Sequence, residues 1–199
     1  EKMLIEHLFI ESFQKGKIKS DEVQIIEKLT GDASTRRYYR VKTPSDPYVV
    51  CLDDPVAQDE MKSSFYVVQS LLKDNGIRVP SIYDIDFSKG YILEEDLGDI
   101  TLLNTLGNID NKGEELDFYQ KCINLMISLQ KIEIPKSHLV NSLSFNEEKF
   151  QYEFKFTHDH FLEKYLKAQL QKEEIEILTG FYQEISKTLS SKNMVFTHR

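Results

Sequence analysis

Apolar residues recur at helical spacing near the start of the chain and through its second half, and alternate with polar ones between. Ile5, Leu8, Phe9 and Phe13 share one face of a helix predicted over 3–13, which Gly16 ends. Three β-rich runs follow at 23–29, 38–42 and 48–52; the last two flank Thr43-Pro44-Ser45-Asp46-Pro47, a turn by its prolines and Asp. Met61, Phe65, Val68 and Leu72 predict a helix over 57–75 with Asn75-Gly76 as its stop. Strands at 82–85 and 91–95 are joined by a Ser88-Lys89-Gly90 turn. After Leu97-Gly98-Asp99 the pattern turns helical. The run 116–132 is apolar on more than one face (Leu116, Tyr119, Ile123; Phe118, Cys122, Leu125), which predicts a helix buried on most sides. Amphipathic helices are expected at 149–165 and 173–189, and a short strand at 194–197.

This order, β-β-β-α-β-β and then helices, predicts an α+β protein: a five-stranded antiparallel lobe over 1–97 and an incomplete, mostly helical lobe over 98–199. The 199 residues are 40% hydrophobic, enough for one generous domain or two small lobes. With a net charge of −8 and no basic block, a nucleic-acid partner is not expected. Cys51 and Cys122 lie far apart in apolar surroundings without a C-x-x-C, and read as buried thiols of a reducing compartment. No run reaches transmembrane length and no signal-peptide order opens the chain, so the expected location is cytoplasmic, without a membrane partner. The chain begins at Glu1 without an initiator Met and ends just after an apolar run, which suggests trimming. The pattern does not indicate an oligomeric state.

The chemistry gathers in Gly31-Asp32-Ala33-Ser34-Thr35-Arg36-Arg37-Tyr38-Tyr39-Arg40, a polar hairpin turn between two strands. It offers backbone N–H groups, two hydroxyls and fixed positive charge, the groups that phosphate oxygens need. The alternative is an ordinary solvated turn. His158-Asp159-His160 does not read as a metal site, because residues two apart on a helix diverge.

The segment 29–41 resembles the nucleotide-loop hairpin of bacterial kinases in the aminoglycoside phosphotransferase superfamily, in particular the group that phosphorylates the anomeric hydroxyl of N-acetylmuramate and N-acetylglucosamine with ATP. Further resemblances fall in the same order: Leu52-Asp53-Asp54-Pro55, Ile92-Leu93-Glu94-Glu95-Asp96-Leu97-Gly98 at the interlobe hinge, Leu125-Met126-Ile127-Ser128-Leu129-Gln130, and Val195-Phe196-Thr197-His198-Arg199 at the start of the catalytic loop. The resemblance implies a protein-kinase-like fold, ATP and Mg²⁺ as cofactors, and a small-molecule hydroxyl acceptor, most simply an amino sugar. Kinases of aminoglycosides or choline-like molecules are the sibling reading. A non-catalytic nucleotide-binding or interaction module is the other.

It also implies roles. Gly31, Asp32, Ala33, Ser34, Thr35, Arg36 and Arg37 would close over the phosphates. Glu94, Glu95, Asp96 and Leu97 would form the hinge that reads adenine through its backbone, or else be solvated connector residues. Glu60 is a candidate for the helix glutamate that orders the phosphate site, against the plainer reading of an exposed carboxylate. His198 and Arg199 would support the catalytic loop. Phe150, Phe154, Phe161 and Tyr165 include a candidate sugar-stacking residue, or simply pack the core. Two departures stand out. The third strand has no lysine for the phosphates, leaving Arg36 or Arg37 to supply that charge. The chain also stops one residue short of the family's catalytic Asp, and the Asn and second Asp that hold Mg²⁺ would follow it; the chain as it stands is therefore expected to be inert.

Overall fold

The computed structural model describes residues 1–30, 36–53 and 63–197. They form two compact units, 1–132 and 133–199. The change from strands to helices read at 97/98 falls inside the first unit; one boundary marks composition, the other cohesion.

The first unit is built on five antiparallel strands, β1 (Ile25–Lys28), β2 (Arg37–Lys42), β3 (Pro47–Leu52), β4 (Ile82–Asp86) and β5 (Tyr91–Glu95), in the order β1-β2-β3-β5-β4. Side chains alternate across a strand. Tyr39, Val41, Tyr48, Val50, Leu52, Tyr91 and Leu93 therefore share one face, which buries them together with Ile5, Leu8 and Phe9 of helix α1 (Lys2–Gln14). At ~1.5–3 kcal/mol per buried side chain, those three α1 residues contribute on the order of 5 kcal/mol of gross burial, far more than the propensity of a single 13-residue helix. A polar clasp fixes the orientation of α1. The Ser12 hydroxyl, fully buried, donates to Asp84 Oδ2 at 2.8 Å and lies 3.1 Å from the Tyr91 hydroxyl, while Lys15 Nζ reaches the same Asp84 oxygen at 2.9 Å.

The β2–β3 turn is closed by Thr43, whose Oγ1 accepts from the Asp46 N–H at 3.1 Å and donates to its carbonyl at 2.8 Å. Helix α2 (Ser64–Asp74) starts at Ser63, whose Oγ accepts from the Tyr66 N–H, and ends at Asn75-Gly76 as expected, with Gly76 at φ +73°. The part of the helix expected before Ser63 lies outside the described residues. The buried positions of α2 are Val67, Gln69 and Leu71, with the Gln69 amide donating to the Pro80 carbonyl, while Phe65, Val68 and Leu72 are half-buried.

Helix α3 (Leu102–Leu106), which periodicity did not show, is capped by Thr101 and Asn104. Helix α4 (Lys112–Gln130) forms where expected but is not buried on most sides. Leu129 alone is buried, while Leu116, Tyr119, Ile123, Leu125, Met126 and Ile127 are exposed, and Cys122 is half-buried. No described element of the first unit packs along those faces closely enough to cover them.

In the second unit, the helix expected over 149–165 forms but changes pitch within its length. Helix α5 (Glu147–Thr157) gives way at His158 to a wider π-helical segment that runs to Tyr165. Helix α6 (Lys172–Ser190) packs on α5 through Phe154 stacked on Tyr182, ring centres 5.1 Å apart, and buries Ser186. Phe150 meets Phe145, so it and Phe154 serve packing, whereas Phe161 and Tyr165 stack on each other at the surface. His158 lies against Tyr182 and His160 against Phe156, so the two histidines diverge. The strand expected at 194–197 is absent: no described strand pairs with it, and Met194 and Val195 stay exposed. No described helix is long and apolar enough to cross a membrane.

Candidate functional site

The period of two that sends Tyr39 and Val41 into the core sends Tyr38, Arg40, Val49, Cys51, Ile92 and Glu94 to the opposite face of the sheet. A cavity of about 720 Å³ opens there, between the end of β1 (Glu27, Lys28) and the residues that follow it (Leu29, Thr30), Arg40, Val49, Glu94 and the segment 95–99 at and after the end of β5. That volume is in the range of small-ligand sites.

Arg40 organises the rim. Its guanidinium bonds Asp96 bidentately, Nε to Oδ2 at 2.5 Å and Nη2 to Oδ1 at 2.9 Å, and reaches Asp99 Oδ2 at 2.9 Å through Nη1. Both members of the bidentate pair are nearly buried, with side chains 9% and 5% exposed. The bond from Arg40 holds the Asp96 carboxyl below the usual carboxylate range, and the pairing raises the Arg40 pKa. Asp96 Oδ1 also accepts from the Gly98 N–H at 2.9 Å, and Gly98 takes φ +79°, a conformation that favours glycine. The segment after β5 is therefore held in one shape by charge pairing and a glycine turn, which leaves the cavity wall preformed.

Glu94 is different. Only 6% exposed, it faces the cavity from β5, and its Oε2 has no hydrogen-bond partner among the described residues. Burial pushes its pKa from an ordinary 4.5 up to about 7, against a smaller opposing pull from the Arg36 charge. Its neighbour Glu95 points along the sheet edge instead, accepting from Arg78 and, at 3.0 Å, from the Ser81 N–H.

Arg36 and Arg37 separate cleanly. Arg36 lies on the cavity side: Nε donates to Asp53 Oδ2 at 2.9 Å, Nη2 to Ser64 Oγ at 3.3 Å, and the guanidinium sits over the Phe65 ring at 5.3 Å. Burial works against its charge, and the hydrogen bond and charge of Asp53, with smaller neighbouring contributions, together outweigh it, so its pKa is raised. Arg37 turns to the other face and pairs with Glu1 at 3.1 Å. Cys51, on the cavity face of β3, is fully buried beside its cross-strand partner Tyr38; burial pushes its thiol up to about 12, so it stays neutral and offers no anion.

Of the residues singled out from sequence, the structure brings Glu94, Glu95, Asp96 and Leu97 to the cavity lining, with the Glu95 carboxylate engaged at the sheet edge, brings Arg36 to the same face of the sheet, and turns Arg37 to the other face. Gly31, Asp32, Ala33, Ser34, Thr35, Glu60, His198 and Arg199 lie outside the described residues. Sequence alone assigns Asp99 no role, and Arg40 closes the stretch 31–40 without a role of its own. The visible signal for Arg40 was its place two and four residues after Tyr38 and Arg36 on an alternating strand, although the partner Asp96 is 56 residues away. Among the described residues no group of three or more His, Cys, Asp or Glu is placed to hold a metal ion.

No protein-family model matches the sequence. An N-acetylmuramate/N-acetylglucosamine kinase of Pseudomonas aeruginosa is 27% identical over 172 residues, covering 85% of this chain and 47% of that protein. The kinase of the same name from Neisseria meningitidis serogroup B is 29% identical over 100 residues, 50% of this chain and 29% of that protein. The chain thus spans at most about half the length of these relatives. Among solved structures, the streptomycin–ATP complex of APH(2")-IIa matches 94% of this chain and 61% of its own, with a TM-score of 0.61 at 14% identity. A Plasmodium vivax ethanolamine kinase matches 82% and 46%, with a TM-score of 0.51 at 15% identity. The fold is that of the kinase-like aminoglycoside phosphotransferases, and the sequence relatives are small-molecule kinases.

Proposed function

We propose that this chain carries the nucleotide-binding lobe and part of the helical lobe, divided near residues 97/98, of a cytoplasmic ATP-dependent phosphotransferase. Its acceptor is the hydroxyl of an amino sugar of the N-acetylmuramate/N-acetylglucosamine type. The observation that carries this reading is the preformed cavity on the strand face opposite α1, walled by the segment that Arg40 and Asp96 hold, with Arg36 on the same face. In this reading adenine lies against Val49 and the segment 94–97, and residues 31–37 serve the phosphates. Arg36 supplies the positive charge that a third-strand lysine gives in other kinases, since the position facing the cavity is Cys51. Asp53 orients that guanidinium, and Arg37 takes no part. Phosphoryl transfer depends largely on positioning and on neutralising charge on the phosphates, and Mg²⁺ bound to ATP would share the second task.

A second reading, a nucleotide-binding module without chemistry, draws on the same Cys51. One experiment separates the two. The full-length protein is incubated with ATP, Mg²⁺ and, in turn, N-acetylmuramate, N-acetylglucosamine, an aminoglycoside and ethanolamine, and products are followed by phosphorus NMR. An anomeric sugar phosphate is expected. Nucleotide binding without any product would support the module, and transfer to the cationic acceptors alone would overturn the amino-sugar assignment.

A further inference from the structure

The rim of the cavity is internally satisfied, because Arg40, Asp96 and Asp99 pair with one another and Glu95 is engaged at the sheet edge. Glu94 is the exception. Its carboxyl is more than nine-tenths buried, lines the cavity, and presents one oxygen without a protein partner among the described residues. A buried acceptor of this kind is stabilised when a donor reaches it. Burial favours the neutral carboxyl while the cavity is empty, and a donor that reaches this oxygen favours the ionised form, which only accepts hydrogen bonds, so the ligand group that completes it is a donor. Leu29 and Val49 line the same cavity and offer apolar surface to a flat ring.

We propose that the Glu94 side chain accepts a hydrogen bond from the exocyclic amino group of adenine and thereby selects adenine over guanine nucleotides. Guanine carries a carbonyl oxygen at that ring position, and two acceptors would then face each other, unless the carboxyl takes up a proton. The proposal rests on the preceding reading only in requiring that a purine nucleotide occupies this cavity. It assigns base selection to a side chain of β5, in addition to backbone groups of the segment that follows.

The test is binding, without transfer. Dissociation constants of ADP and GDP are measured by calorimetry for the full-length protein and for Glu94→Gln, whose amide both donates and accepts. The wild-type protein is expected to prefer ADP by at least on the order of tenfold, and the variant to bring the two within about threefold. Purine riboside 5′-diphosphate, which lacks the amino group, tests the same bond on the unaltered protein and is expected to bind as weakly as GDP. Equal wild-type affinities, an unchanged ratio in the variant, or full-strength binding of the purine riboside nucleotide would each overturn the proposal alone. Failure of every nucleotide to bind would overturn the phosphotransferase reading along with it.

Discussion

Replacing Glu94 by Gln should change how stability depends on pH. Folding moves this carboxyl from water, where its pKa is 4.5, into a site where burial raises it to about 7. Between those values the folded chain holds the proton more tightly than the unfolded one, so stability from this group is complete below pH 4.5 and is lost as pH rises through 7. At about 1.4 kcal/mol per pH unit, the loss across that interval is on the order of 3 kcal/mol. Gln has no proton to lose and nearly the same shape. The stability of Glu94→Gln minus that of the wild type should therefore grow by on the order of 3 kcal/mol between about pH 4.5 and pH 8. Urea unfolding of both proteins across that range measures the difference, in which groups common to both cancel. Parallel curves would show that Glu94 titrates as an ordinary surface carboxylate and that its buried, unpartnered placement is wrong.

Four further outcomes follow from named contacts. Arg36→Ala should weaken ATP binding by about tenfold or more, as expected for loss of a charge-assisted phosphate contact, while Arg37→Ala should stay within about twofold; equal effects in calorimetry would remove the distinction drawn between them. Arg40→Ala strips the partner from a nearly buried Asp96 and should cost about 3–5 kcal/mol, read as a lowered urea midpoint. Ser12→Ala leaves Asp84 and Tyr91 without their shared buried hydroxyl and should cost about 1–3 kcal/mol in the same measurement, with nucleotide affinity unchanged. Gly76→Ala should cost about 1–2 kcal/mol from backbone strain alone, because φ is +73° and nothing lies within 4 Å of the added methyl.

Local patterns carried most of the architecture. β-branched and aromatic composition in 38–42, 48–52 and 91–95 marked the three central strands nearly to the residue, and the Asn75-Gly76 stop ended α2 where it does end. These signals are legible because they depend on near neighbours: strand composition, helical periodicity and a glycine able to take positive φ. Signals that depend on a partner were not legible. The run 194–197 has strand composition but no described neighbour to pair with, and the widened turn at His158 has no mark in the spacing of its aromatics. Apolar content predicted a buried α4, yet burial belongs to what packs on a helix, and little of the first unit does.

The same division holds for the candidate site. Sequence alone determined that a glycine, two hydroxyls and two arginines gather at 31–37, that acidic residues run from the end of β5 into the segment after it, and that the third strand lacks a lysine. It could not choose between two adjacent arginines, because that choice depends on which strand face meets α1. Tertiary structure decided that Arg36 meets Asp53 while Arg37 meets Glu1, that Asp96 is held by Arg40 across 56 positions, and that Glu94 keeps a carboxylate oxygen without a protein partner in the cavity. Each of these is a matter of registry between strands distant in sequence, and a shift of one residue would exchange the two faces.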